Sequence, residues 1–263
     1  MLAEGARSPH DGPGATGLSG FVLNLLPGWG YRAGVWEALL AHLPAEWETN
    51  LVELPWEHPT EEWLRPNGPL AARLKPGWCV GWSFGGTLAL ALAAHASTID
   101  GVVLVASTPC WLAAPDWTAG LERQAIEELR ALVDDQPEAA LRHFNALVSL
   151  GAPNAAQVRR ALAHHLLPGE MRPGLTAALG LMQRLDARLT RPAVPVRLIE
   201  GEGDRLLPGG VDPHWVVTHA RSWSRLPGMG HALHLADPAA LAACLRHIGE
   251  PDGADAAAAQ GPS

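Results

Sequence analysis

Short apolar runs of strand length alternate along this chain with stretches whose apolar residues recur at helical spacing. Phe21–Leu26 predicts a buried strand, and the turn Pro27-Gly28-Trp29-Gly30 follows it. Val35–Leu43 predicts a helix, because Val35, Trp36, Leu39, Leu40 and Leu43 fall on one face. Thr49–Leu54 predicts a second strand. Thr60 stands where it can cap the next helix, with Glu61 and Glu62 suited to that helix's positive end. Gly77–Gly81 predicts a third strand, Phe84–His95 a helix rich in small residues, and Gly101–Ala106 a fourth strand. From Trp111 to about Arg191 the pattern is helical with little strand signal. Strands return at Pro195–Glu200 and Ser222–Leu226, and Pro238–Ile248 predicts a closing amphipathic helix. Such alternation implies an α/β fold with a mostly parallel sheet and helices on both faces. The helical middle then reads as an insertion over the strand ends. The expected division is a core of 19–110 and 192–249, a helical cap of 111–191, and Gly/Ala/Pro-rich tails at 1–18 and 250–263 that read as disordered.

Composition narrows the class. Of 263 residues 48% are hydrophobic and 17% charged, enough for a sizeable core. A formal net charge of −8 argues against nucleic acid or an anionic membrane as partner. The apolar run Leu88–Ala94 is far short of the ~20 residues that span a bilayer, and it reads as a buried helix. The segment Met1–Gly17 lacks the apolar stretch of a signal peptide. Cys79, Cys110 and Cys244 are odd in number and widely spaced, which suits reduced thiols in a cytoplasmic protein. A cytoplasmic monomer is expected.

The chemistry centres on Gly81-Trp82-Ser83-Phe84-Gly85, a match to G-x-S-x-G between an apolar strand and a helix. That context places a serine on a sharp turn with its hydroxyl exposed, and flanking glycines let the strained turn close. Gly86 adds a small residue where helix and sheet approach. A nucleophilic serine needs a base, and the base an orienting acid, in the chain order Ser, acid, His. His231, in Gly228-Met229-Gly230-His231 after the last strand, is the expected base; His234 is its nearest competitor. Asp204 follows the preceding strand and is the expected acid, with Glu202 and Asp212 as rivals. The backbone N–H groups of Phe84 and Trp29 are the expected donors to the oxyanion. His143, His164 and His165 include neighbours that point in different directions along a helix and have no carboxylate beside them, so no metal site is expected and no cofactor is required.

The segments PGWGYRAGVWEALLAHL, GWSFGGTLAL, VVLVASTPCW, HFNALVSLGA, LIEGEGDRLLP and GHALHLADP resemble the pimeloyl-ACP methyl ester esterases of biotin synthesis, a branch of the α/β-hydrolases. The resemblance runs from about Phe21 to Ile248. It implies a triad of Ser83, Asp204 and His231, and substrate contacts from Trp29, Ser83, Phe84, His231 and the cap segment Phe144, Asn145, Ala146, Leu147 and Val148. It also implies an acyl carrier protein as the substrate's bearer. Many α/β-hydrolases have His-Gly where this chain has Pro27-Gly28, so the backbone donor is kept and that side chain is absent. Carrier proteins are acidic, and the cap offers a complement: no Asp or Glu lies between Glu138 and Glu170, whereas Arg142, Arg159 and Arg160 do. The alternative is a broad carboxylesterase for short acyl esters that needs no carrier.

Overall fold

A computed structural model describes residues 21–248; the expected tails 1–18 and 250–263 lie outside the described residues. Six strands form one sheet: β1 (Val22–Leu26), β2 (Glu48–Leu51), β3 (Gly77–Trp82), β4 (Ile99–Val105), β5 (Val196–Gly201) and β6 (Ser222–Leu226). They lie in the order β2-β1-β3-β4-β5-β6, and every neighbouring pair is parallel. The central strands are continuous apolar runs because helices cover both faces. All six residues of β3 are buried, and in β4 only Asp100 is exposed.

Local rules explain where helices fall short of their predicted lengths. Over Val35–Leu43 the chain makes a 3₁₀ turn (Ala33–Trp36) and then one α-turn, α1 (Glu37–Leu40). His42 and Leu43 donate back three residues rather than four, and Pro44 disfavours the helical conformation just before it. Val35, Trp36 and Leu39 are nevertheless buried. Thr60 is the first residue of α2 (Thr60–Trp63), not its cap; Pro59 occupies the cap position and Thr60 is buried. The helix α3 (Phe84–Ala93) is buried at every position except Ala91, since its Gly and Ala residues let it lie close to the sheet.

Between β4 and β5 come four helices: α4 (Arg123–Asp135), α5 (Pro137–Val148), α6 (Ala155–Ala163) and α7 (Arg172–Arg184). The chain then closes with α8 (Pro213–His219), the single turn α9 (Leu233–Ala236) and α10 (Pro238–Leu245). No described helix is long and apolar enough to cross a membrane. Cys79 and Cys110 are buried and Cys244 is partly exposed.

Candidate active site

Strand β3 gives way at Ser83, the residue between it and α3, which holds φ 54° and ψ −127°, a conformation that non-glycine residues rarely adopt. Several bonds hold it there. Its N–H donates to the Val105 carbonyl at 2.9 Å, and its own carbonyl accepts from Ser107 Oγ at 2.6 Å and Gly86 N at 3.0 Å. The motif's glycines are needed for backbone approach. A Cβ on Gly81 would lie 2.3 Å from Gly86 N, and one on Gly85 would lie 2.4 Å from the Pro27 carbonyl oxygen.

The loops after β5 and β6 bring two partners to this serine. His231 Nε2 lies 2.9 Å from Ser83 Oγ, and His231 Nδ1 lies 2.8 Å from Asp204 Oδ2. All three residues are buried. The Trp82 indole N–H donates to the His231 carbonyl at 2.9 Å, tying the loop of the expected base to the elbow. The other Asp204 oxygen accepts the N–H groups of Leu206 at 2.8 Å and Leu207 at 3.0 Å. Burial works against ionisation of Asp204, but His231 and these two amides outweigh it and hold the carboxyl below its usual range. Glu200 braces the far end of the Asp204 loop by accepting from Val211 N at 2.6 Å, while its second oxygen accepts from the Trp223 indole. Of the rival acids, Glu202 is exposed, and Asp212 caps α8 by accepting from the His214 and Trp215 amides. His234 is fully buried, 4.4 Å from the Trp82 ring and 4.8 Å from the Trp36 ring, and has no hydrogen-bond partner among the described residues.

The first turn packs directly on Ser83: a Cβ on Gly28 would be 3.1 Å from its Cβ. The backbone N–H groups of Trp29 and Phe84 take no partner among the described residues. The Trp29 indole donates to the Leu175 carbonyl at 3.0 Å, which fixes this turn to α7.

Above Ser83 opens a cavity of about 500 Å³, within the range of small-molecule sites. Trp29 and Trp111 flank the serine; Ile126 and Leu129 of α4 and Leu179 and Met182 of α7 form apolar walls. From α5 come Phe144 and Leu147, with Phe144 edge-on to Trp29 at 5.0 Å. Glu128 and His143, both exposed, supply the polar rim. Of the cap segment expected at the substrate, Asn145, Ala146 and Val148 do not line this cavity. Helical geometry turns Asn145 and Val148 away, into the protein, when Phe144 and Leu147 face the cavity. The Phe84 side chain is buried beneath the elbow, leaving only its N–H for a ligand, and His231 stands behind Ser83.

Sequence reasoning did not single out Trp111 or the wall residues from α4 and α7. The apolar stripe Ile126, Leu129, Val133 was visible at helical spacing, but what it faced was not. Arg142, Arg159 and Arg160 are exposed on α5 and α6 and form no ion pair among the described residues. Among those residues no group of three or more His, Cys, Asp or Glu could hold a metal ion.

No family model matches the chain. Curated relatives do. A pimeloyl-[acyl-carrier protein] methyl ester esterase from Xanthomonas axonopodis pv. citri is 30% identical over 230 residues, covering 81% of this chain and 91% of the relative. One from Aromatoleum aromaticum is 34% identical over 251 residues, covering 86% and 97%. Among solved structures, an esterase from Exiguobacterium antarcticum superposes with a TM-score of 0.70 at 16% identity, covering 87% of this chain and 91% of that one. Likeness of fold alone would leave the chemistry open, but identity at this level along most of both chains does not: the chain belongs to the family of pimeloyl-[acyl-carrier protein] methyl ester esterases and is a carboxylic ester hydrolase of the α/β-hydrolase fold.

Proposed function

We propose that this esterase cleaves the methyl ester of a pimeloyl chain borne by an acyl carrier protein, releasing methanol and the carrier-bound free acid in biotin synthesis. The observation that carries the mechanism is the Ser83–His231–Asp204 line, with contacts of 2.9 and 2.8 Å, at the floor of an apolar cavity. His231 Nε2 takes the Ser83 proton as Oγ attacks the ester carbonyl, and the resulting oxyanion is met by the N–H groups of Trp29 and Phe84. The imidazolium then protonates the departing methoxide. Water, deprotonated by the same nitrogen, attacks the acyl-enzyme; collapse returns the proton to Ser83 Oγ and frees the carboxylate. Asp204 fixes the tautomer that leaves Nε2 as the acceptor.

Segment 111–191 is the cap in this reading. Its α4, α5 and α7 supply the acyl walls, and the unpaired Arg142, Arg159 and Arg160 offer charge to an acidic carrier. Every group in the site comes from one chain, so a monomer suffices. The test compares pimeloyl-ACP methyl ester with a short p-nitrophenyl ester in wild type, Ser83→Ala and Arg159→Ala/Arg160→Ala. A preference for the carrier-bound ester that the double arginine variant loses at low salt supports the carrier reading. Equal handling of both esters, indifferent to the arginines, leaves a general carboxylesterase. Full activity in Ser83→Ala refutes the mechanism.

A further inference from the structure

The α5–α6 hairpin touches all three loops of the proposed active site, and it does so largely through backbone. After α6, the Leu167 N–H donates to the Gly30 carbonyl at 2.9 Å and the Arg32 N–H donates to the His165 carbonyl at 2.8 Å, so this strand of cap is paired with the turn that carries Trp29. At the hairpin's bend, Gly151 has φ +79°, and a Cβ there would lie 1.7 Å from the carbonyl oxygen of Gly203, next to Asp204. On the base loop, a Cβ on Gly230 would lie 2.6 Å from the Leu150 carbonyl oxygen and 2.8 Å from Ala152 N. Glycine on both sides of these contacts lets main chain rest on main chain, a contact with few rotamers to give way.

One side chain joins the hairpin to the base. Asn145 is buried on α5; its Nδ2 donates to the Arg159 carbonyl of α6 at 3.0 Å, and its Oδ1 accepts the Tyr31 hydroxyl at 3.2 Å. The Tyr31 ring packs 5.0 Å from the Trp82 ring, and the Trp82 indole holds the His231 carbonyl. Neighbours on α5 therefore divide the work: Phe144 faces the acyl cavity, and Asn145 backs the catalytic loops. We infer that Asn145 is a positioning residue, holding His231 in line with Ser83 through Tyr31 and Trp82 rather than touching substrate. This rests on the triad proposed above.

The test uses the full chain, a soluble p-nitrophenyl ester, and fluorophosphonate titration to count reactive Ser83. Tyr31→Phe removes one hydroxyl and leaves the ring packing; Asn145→Ala removes both hydrogen bonds. Each is expected to lower kcat per titrated serine about tenfold, the scale of one buried hydrogen bond, with KM within about twofold. The double variant should be no slower than the slower single variant, because both interrupt one link. A rise in KM at unchanged kcat would place Asn145 on the substrate and overturn the inference. So would a lowered melting temperature with kcat unchanged, or losses that add in the double variant. Failure of wild-type Ser83 to label would instead refute the triad reading, which keeps the two failures distinct.

Discussion

His234, which hydrogen-bonds to neither Ser83 nor Asp204, makes the sharpest statement about stability. It lies between the Trp36 and Trp82 rings with neither ring nitrogen partnered among the described residues. Burial, then the nearby His231 and His165, push its pKa down from 6.5 to about 3. The folded protein thus keeps His234 neutral at pH values where the unfolded chain protonates it. Above pH 6.5 both states are neutral and the residue contributes no pH dependence. Below it the unfolded state binds the extra proton, so stability falls by about 1.36 kcal/mol per pH unit until the folded pKa is reached. From pH 7.5 to 5.0 that amounts to about 2 kcal/mol. Asp204, whose carboxyl is held below its usual range, keeps its stabilising charge throughout this window and loses it only at lower pH. His234→Leu fills the slot without a titrating group and is expected within about 1.5 kcal/mol of wild type at pH 7.5. Urea unfolding of both proteins at pH 7.5 and 5.0 gives the comparison. The variant should lose about 2 kcal/mol less than wild type on acidification. Equal losses would show that His234 is protonated in the folded state or finds a partner there, and the reasoning would fail.

Three further outcomes follow from the geometry. Asp204→Asn keeps the shape of the acid but favours the wrong imidazole tautomer, so kcat should fall on the order of 10⁴-fold with little change in KM; retention of activity in steady-state assays would remove Asp204 from the relay. Gly151→Ala must force a Cβ against the Gly203 carbonyl at positive φ, which should lower Tm by roughly 5 °C in a thermal melt. An unchanged Tm would mean that the two loops separate freely. Met182→Trp projects bulk into the acyl cavity, so the ratio of octanoate to acetate p-nitrophenyl ester hydrolysis should drop about tenfold; a constant ratio would take Met182 out of the wall.

How far the sequence could be read depended on whether the cause was local. β6 falls on Ser222–Leu226 as its pattern predicts, because one strand's alternation and bounding turns decide it. The elbow was legible for a similar reason: Gly81, Ser83 and Gly85 stand at a spacing that the backbone itself demands. Ser83, Asp204 and His231 could be named as partners only through chain order, and the structure brings them within hydrogen-bond reach. Where tertiary packing decides, the sequence was silent or misleading. One local cause was also overlooked: Val35–Leu43 has helical periodicity, yet Pro44 and a 3₁₀ turn shorten it. Thr60 has the chemistry of a cap, but burial withdraws its side chain. Asn145 and Val148 sit in the segment expected at the substrate, but the rotation of α5 about its axis faces them inward. No pattern within α4 or α7 alone could reveal that both helices wall one cavity.

The composition of that cavity bears on how tightly substrate and product are held. No Lys or Arg stands among its described lining residues, and the carboxylate at its rim is Glu128. A neutral ester enters such a space without losing strong solvation, whereas the acid formed by hydrolysis is an anion with no cation to receive it. The chemistry itself is therefore expected to turn a ligand the site favours into one it favours less. Charge created in the final step should weaken the hold on product relative to substrate, so that the free acid is expected to inhibit less than an uncharged analogue of the same length.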